Sequence, residues 1–134
     1  MWLAHHDPAG YDRCVMVGGR PVCRRCLVLY PLALVVLVAA GVAGWSGGSE
    51  AVVLLVFPLP AVVEFVLEHR GVLRYNPVRQ ILVTIPLAVA LGAGFDRYLA
   101  RHSDPLFWAT VVGYTAVCLW STLSHGRDGQ NRLR

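Results

Sequence analysis

Three cysteines and two histidines fall within the first 26 residues: His5, His6, Cys14, then Cys23-Arg24-Arg25-Cys26. A Cys-x-x-Cys pair brings two thiolates close enough to share one metal ion or to form a disulfide. Cys14 and one of the histidines complete a four-ligand set of the kind zinc prefers. The candidate metal ligands are therefore His6, Cys23, Cys26, Cys14 and His5, with zinc as the cofactor. The lesser alternatives are that Cys23 and Cys26 act as a thiol redox pair, or that the three cysteines are inert and unligated. A second group that can do chemistry is acidic. Glu64 and Glu68 stand one helical turn apart inside an otherwise apolar run. Ionisable side chains in such a run usually face the protein interior and mark a site. Glu64 is thus the candidate catalytic residue, as a proton acceptor, metal ligand or substrate anchor. The structural alternative is an intramembrane ion pair of Glu64 and Glu68 with Arg79.

These residues must be positioned by elements suited to a bilayer. The chain has 134 residues, 56% of them hydrophobic and only 15% charged, against roughly a quarter charged in soluble domains. Its mean hydropathy is +0.54. The charges are clustered: Cys26 to Ser49 and Pro105 to Ser124 contain none. Runs of about 20 apolar residues match the ~30 Å hydrocarbon core of a membrane. The basic excess, 12 Lys+Arg against 8 Asp+Glu, consists wholly of arginine beside these runs. It therefore reads as a topology signal and excludes nucleic acid as the partner, which is instead the lipid bilayer. Met1 to Pro8 shows no basic segment followed by an apolar one, so the first span is expected to act as the insertion signal.

The fold class that follows is an all-α membrane protein. It is expected to be an up-down bundle of four transmembrane helices with a short N-terminal Cys/His hairpin. The spans are drawn at about 27–45, 51–68, 77–95 and 105–124. Pro58 and Pro60 should bend or unwind the second. Arg79 should snorkel to the interface at the start of the third. Residues 1–26 form the cytoplasmic hairpin with its candidate metal site, 27–124 the bundle, and 125–134 a polar tail expected to be disordered. Within the hairpin, Cys14 to Val17 and Arg20 to Cys23 read as strands around a Gly18-Gly19 turn. Arginines 13, 20, 24, 25, 70, 74, 79, 127, 132 and 134 lie on one side, and only Arg97 and Arg101 on the other. This asymmetry places both termini in the cytoplasm of a multi-pass cell-membrane protein. A reducing compartment favours metal over disulfide at the cysteines.

Several other features read as structural. Ala40-x-x-x-Gly44, Ala88-x-x-x-Gly92 and Ala90-x-x-x-Gly94 let helix backbones approach closely, within the monomer rather than at a dimer seam. Asp96, Arg97, Arg101, His102 and Asp104 read as a solvated loop of mixed charge. Cys118 sits among apolar residues as a small hydrophobe. His69 and Arg70 suit the C-terminus of their helix.

With those residues in view, the chain resembles the small integral membrane proteins grouped as domain of unknown function 2085. That family's pattern has a Cys-His pair, a Pro, an Arg and a Gly, then Cys-x-Arg-Cys and a Tyr entering the first span. His5-His6, Pro8, Arg13, Gly18, Cys23-Arg24-Arg25-Cys26 and Tyr30 stand here in that order. Pro60 and Glu64 match a Pro followed four residues later by an acid, with Glu68 where the family has Gln. Asn76-Pro77-Val78-Arg79 matches its Asn-x-x-Arg. The likeness covers most of residues 5 to 92. It departs at His5, where the family has Cys, at Cys14, where it has Ser or Thr, and in lacking Thr-Gly after the Arg. The resemblance implies a membrane location and a cytoplasmic Cys/His site. It makes Cys23, Cys26 and His6 the firmer ligands, with His5 and Cys14 competing for the fourth place. It supplies no activity.

Three functional readings follow. The leading one is a metal-stabilised membrane module that binds or scaffolds a partner the sequence does not name. The second is a membrane-surface metal or thiol-redox enzyme using Cys23, Cys26 and Glu64. The third is a small proton-coupled transporter that works as a homo-oligomer, with Glu64 as the coupling carboxylate.

Overall fold

The computed structural model describes residues 14–44 and 48–131, with side chains described as far as Ser124. His5 and His6 lie outside the described residues. The chain is mostly helical. Two strands, β1 (Cys14–Val17) and β2 (Arg20–Cys23), precede α1 (Arg24–Ala43), α2 (Gly48–Val56), α3 (Leu59–His69), α4 (Pro77–Ala100) and α5 (Pro105–Asn131).

Four helical stretches are long and apolar enough to cross a bilayer: Arg24–Ala43, Gly48–His69, Pro77–Ala100 and Pro105–Ser124. Large apolar side chains cover their outer faces, among them Val38, Val42, Leu82, Val112, Leu119 and Leu123. Such surfaces are stable against lipid tails and costly in water. The architecture is that of a multi-pass membrane protein.

The second stretch is broken between α2 and α3, where the two prolines fall. Neither Pro58 nor Pro60 has an N–H to give to the preceding turn. At the end of α2, just before this gap, the Leu55 carbonyl accepts a hydrogen bond from the Tyr114 hydroxyl of α5. A carbonyl freed inside hydrocarbon needs such a partner, and here a neighbouring helix supplies it.

Helix α4 is the hub, touching α1, α2, α3 and α5. Its seam with α1 depends on Gly92, where a Cβ would lie 2.5 Å from the Ala33 carbonyl and 2.7 Å from Val36 Cβ. Only a residue without a side chain allows this approach, so Ala88-x-x-x-Gly92 serves packing within one chain. Ala33, Ala40 and Ala88 are buried. A core of Val53, Ala90 and Ala93, with Phe57 and Val89 against it, joins α4 to the broken helix.

Helix starts follow local chemistry. Asn76 caps α4, its side chain accepting from Val78 N at 2.9 Å and Arg79 N at 3.2 Å, with Pro77 at the first helical position. Asp104 does the same for α5, accepting from Phe107 N at 2.9 Å ahead of Pro105. Two boundaries differ from the sequence expectation. Helix α4 continues past Phe95 through Asp96 and Arg97 to Ala100. Helix α5 continues past Ser124 to Asn131, where the sequence suggested a disordered tail. No proline or helix-terminating turn interrupts residues 125–131, so the backbone ladder of the fourth span can run on.

Candidate functional site

The hairpin is built as its sequence dictates. Gly18 (φ 56°) and Gly19 (φ 76°) both take positive φ, which is the type I′ turn that matches strand twist. The register then pairs Val17 with Arg20, Met16 with Pro21, Val15 with Val22 and Cys14 with Cys23. Residues flanking a two-residue turn form a hydrogen-bonded pair, and such pairs alternate along the ladder. Pro21, which has no N–H, therefore occupies a non-hydrogen-bonded position, and so does the Cys14–Cys23 pair. Side chains are closest at those positions, with Cα atoms about 4.5 Å apart.

Cys23 is also the residue that caps α1, without a side-chain capping bond, so Cys26 follows in the first turn. The Cys23 and Cys26 thiols are within hydrogen-bonding reach of each other, and Cys14 is close enough to act on Cys26 electrostatically. Cys23 is buried and Cys14 and Cys26 half-buried, and none of the three is in a disulfide. The three cysteines singled out in the sequence thus gather at the base of the hairpin. Among the described residues, no three His, Cys, Asp or Glu side chains are arranged to hold a metal ion. Cys118 lies apart on α5, half-buried.

Directly beneath the hairpin is a buried charge cluster. Glu64 is 4% exposed, and each of its oxygens meets a guanidinium: Arg79 Nε at Oε1 and Arg25 Nη2 at Oε2, both 2.9 Å. Arg79 donates a further bond of 2.6 Å to the Arg74 carbonyl. One carboxylate therefore ties α1, α3 and α4 together. Arg25 belongs to the Cys-x-x-Cys segment itself, so this ion cluster and the thiols are one assembly. Glu68, a turn further along α3, is half-buried. Near the same end, Arg70 lies over the Trp120 ring, 5.4 Å from its centroid.

A second cluster of opposite balance stands at the other end of α4. Arg97 bridges Glu50 of α2 (2.8 Å) and Asp104 before α5 (2.7 Å). Glu50 and Asp104 are buried, at 7% and 4% exposure. The Arg97 guanidinium and the Phe107 N–H hold the Asp104 carboxyl down at about 2. This corrects the reading of residues 96–104 as a solvated mixed-charge loop, because Arg97 is inside a helix and its partners are buried. Rings of Tyr98, His102, Phe107 and Trp108 pack around the same turn, with centroids 4.9 to 6.2 Å apart. Tyrosine and tryptophan at this level fit a membrane–water interface.

Sequence reasoning reached Glu64 with Arg79 but missed Arg25 as a partner, and it missed Glu50 with Arg97. The Asp104-Pro105 pair carried a signal, since it is a helix start. The Glu50–Arg97 contact joins positions 47 residues apart and had none.

Between α3, α4 and α5 lies a cavity of about 440 Å³. Its walls are apolar, including Leu54, Phe65, Leu91 and Phe107, and Arg25 is its charged lining residue.

Comparison with known proteins finds no matching family model, no similar curated protein and no similar solved structure.

Proposed function

We propose that this chain is a membrane-embedded binding or scaffolding module. Its four spans form an up-down bundle with both termini cytoplasmic, and its cytoplasmic face carries a zinc-type Cys/His site. The carrying observation is the hairpin register, which sets Cys14 opposite Cys23 while Cys26 contacts Cys23. Three soft donors on one hairpin base are the usual raw material of a structural zinc site, although the thiols are not gathered in metal-binding geometry here. His6 or His5 would complete the set, and the thiols would draw in around the ion. In this reading the Arg25–Glu64–Arg79 cluster fixes the site to the bundle, so that it is held rigidly at the bilayer surface. The motif resemblance to the domain of unknown function 2085 family supports the same placement.

The transporter reading is weaker. Both oxygens of Glu64 are already occupied by guanidinium groups, whereas a coupling carboxylate must exchange protons freely.

Metal analysis of purified protein tests the proposal. About one zinc per chain, lost in Cys23→Ser together with thermal stability, is the expected result. Protein without metal, but with a Cys23–Cys26 couple titrating near cytosolic thiol potentials, would sink the module and favour redox chemistry.

A further inference from the structure

The cavity between α3, α4 and α5 has a chemical polarity that the proposed metal site does not use. Phe107 marks one end and Cys118 the other, eleven positions along α5, so the cavity is about 16 Å long by helical rise. Its hydroxyls are largely committed elsewhere. Tyr114 donates to the Leu55 carbonyl and Thr110 to the Leu106 carbonyl. The Cys118 end is where Arg25 reaches, close enough to act on that thiol electrostatically. Arg25 Nε is buried and has no acceptor among the described residues, although Nη2 is bound to Glu64. A buried, charged N–H without an acceptor is costly. The cluster beside it also sets two guanidinium groups, Arg25 and Arg79, on the single Glu64 carboxylate.

We infer that this cavity binds a single-tailed anionic amphiphile, with its tail along the apolar walls and its carboxylate or phosphate oxygen on Arg25 Nε. An extended chain advances about 1.2 Å per bond, so the cavity takes a tail of roughly a dozen carbons. Its volume of about 440 Å³ falls within the range of pockets that enclose small-molecule ligands. The headgroup sits at interfacial depth, because Arg25 opens the first span. The site is independent of whether the hairpin thiols hold a metal.

The test uses the full chain in nanodiscs of zwitterionic phosphatidylcholine, with radiolabelled dodecanoic acid as the probe and empty discs as background. Dodecyl phosphate and 1-dodecanol serve as competitors. Saturable binding is expected, with both anions competing at concentrations about tenfold or more below the alcohol, as a charge-assisted hydrogen bond requires. The stronger anion identifies the headgroup as carboxylate or phosphate. Arg25→Gln should abolish the preference for anions. Cys118→Phe, which blocks the Arg25 end of the cavity while leaving every member of the ion cluster in the sequence, should remove saturable binding altogether and keeps the test valid if Arg25→Gln fails to fold. No binding above empty discs, equal competition by dodecanol, or unchanged binding in Cys118→Phe would each overturn the inference.

Discussion

At the scale of single residues, the two clusters make opposite demands on their central groups. Glu64 compensates two arginines, so Glu64→Gln leaves both guanidinium groups without a counter-charge. Removing one partner of a wholly buried pair costs about 3–5 kcal/mol. Arg25 and Arg79 retain 23% and 33% side-chain exposure, which moderates that cost. A loss of about 2–3 kcal/mol is expected in detergent-solubilised protein, read by thermal unfolding. An unchanged melting temperature would mean that the carboxylate is kept for something other than structure. Asp104 gives a pH-dependent counterpart. Its carboxyl is lowered to about 2, chiefly by Arg97 and then by the Phe107 N–H. A depressed carboxyl stabilises the fold at pH values above its unfolded value of about 3.9. That contribution should fade as pH falls from about 4 towards 2. Asp104→Asn keeps the cap but loses the charge, so its melting temperature should lack this acid-limb decline. A wild-type profile with no decline between those values would contradict the Arg97–Asp104 pairing.

At the scale of elements, helix contact is decided by missing atoms and missing hydrogen bonds. Gly92→Ala should separate α1 from α4, because its Cβ would meet backbone at 2.5 Å and backbone cannot swing away. Overpacking of this kind typically costs about 1–3 kcal/mol. Gly94→Ala meets only Leu54 and Phe107 side chains, at 3.2 and 3.5 Å, and should be nearly neutral. Equal melting temperatures for the two variants would refute the close seam. Tyr114→Phe should cost about 0.6–1.5 kcal/mol, since it strips the freed Leu55 carbonyl of its donor in the broken span. These elements differ in how far the sequence revealed them. The spans, the Pro58 break and the Gly18-Gly19 turn were legible because each depends on neighbours within a few residues. The Ala88-x-x-x-Gly92 spacing announced a contact but not that Ala33 would fill it. The Glu50–Arg97–Asp104 cluster was illegible, because its charges flank spans and hydropathy treats such residues as loop. Only three-dimensional packing showed that the charges neutralise one another, which lets α4 run on through Asp96 and Arg97.

At the scale of the molecule, the two clusters mark out a slab. Arg79 and Arg97 are eighteen positions apart on α4, about 27 Å by helical rise, close to the ~30 Å hydrocarbon thickness. The count of flanking arginines predicts a cytoplasmic hairpin. The compartment then decides the chemistry of the cysteines, because Cys14 and Cys23 form a cross-strand pair with backbones within disulfide reach. In a reducing cytoplasm they stay thiols and can serve a metal, whereas outside they would oxidise. Both consequences can be read on one preparation. A fluorescent protein fused after Arg134 should fluoresce, as a cytoplasmic C-terminus requires. Alkylation of intact cells with a membrane-permeant maleimide, after chelation of any metal, should label the half-buried Cys14, whereas an impermeant maleimide should not. Mass spectrometry showing Cys14 joined to Cys23 in freshly lysed, alkylated cells would instead place the hairpin outside. The proposed zinc site would then give way to a disulfide that the same register has already aligned.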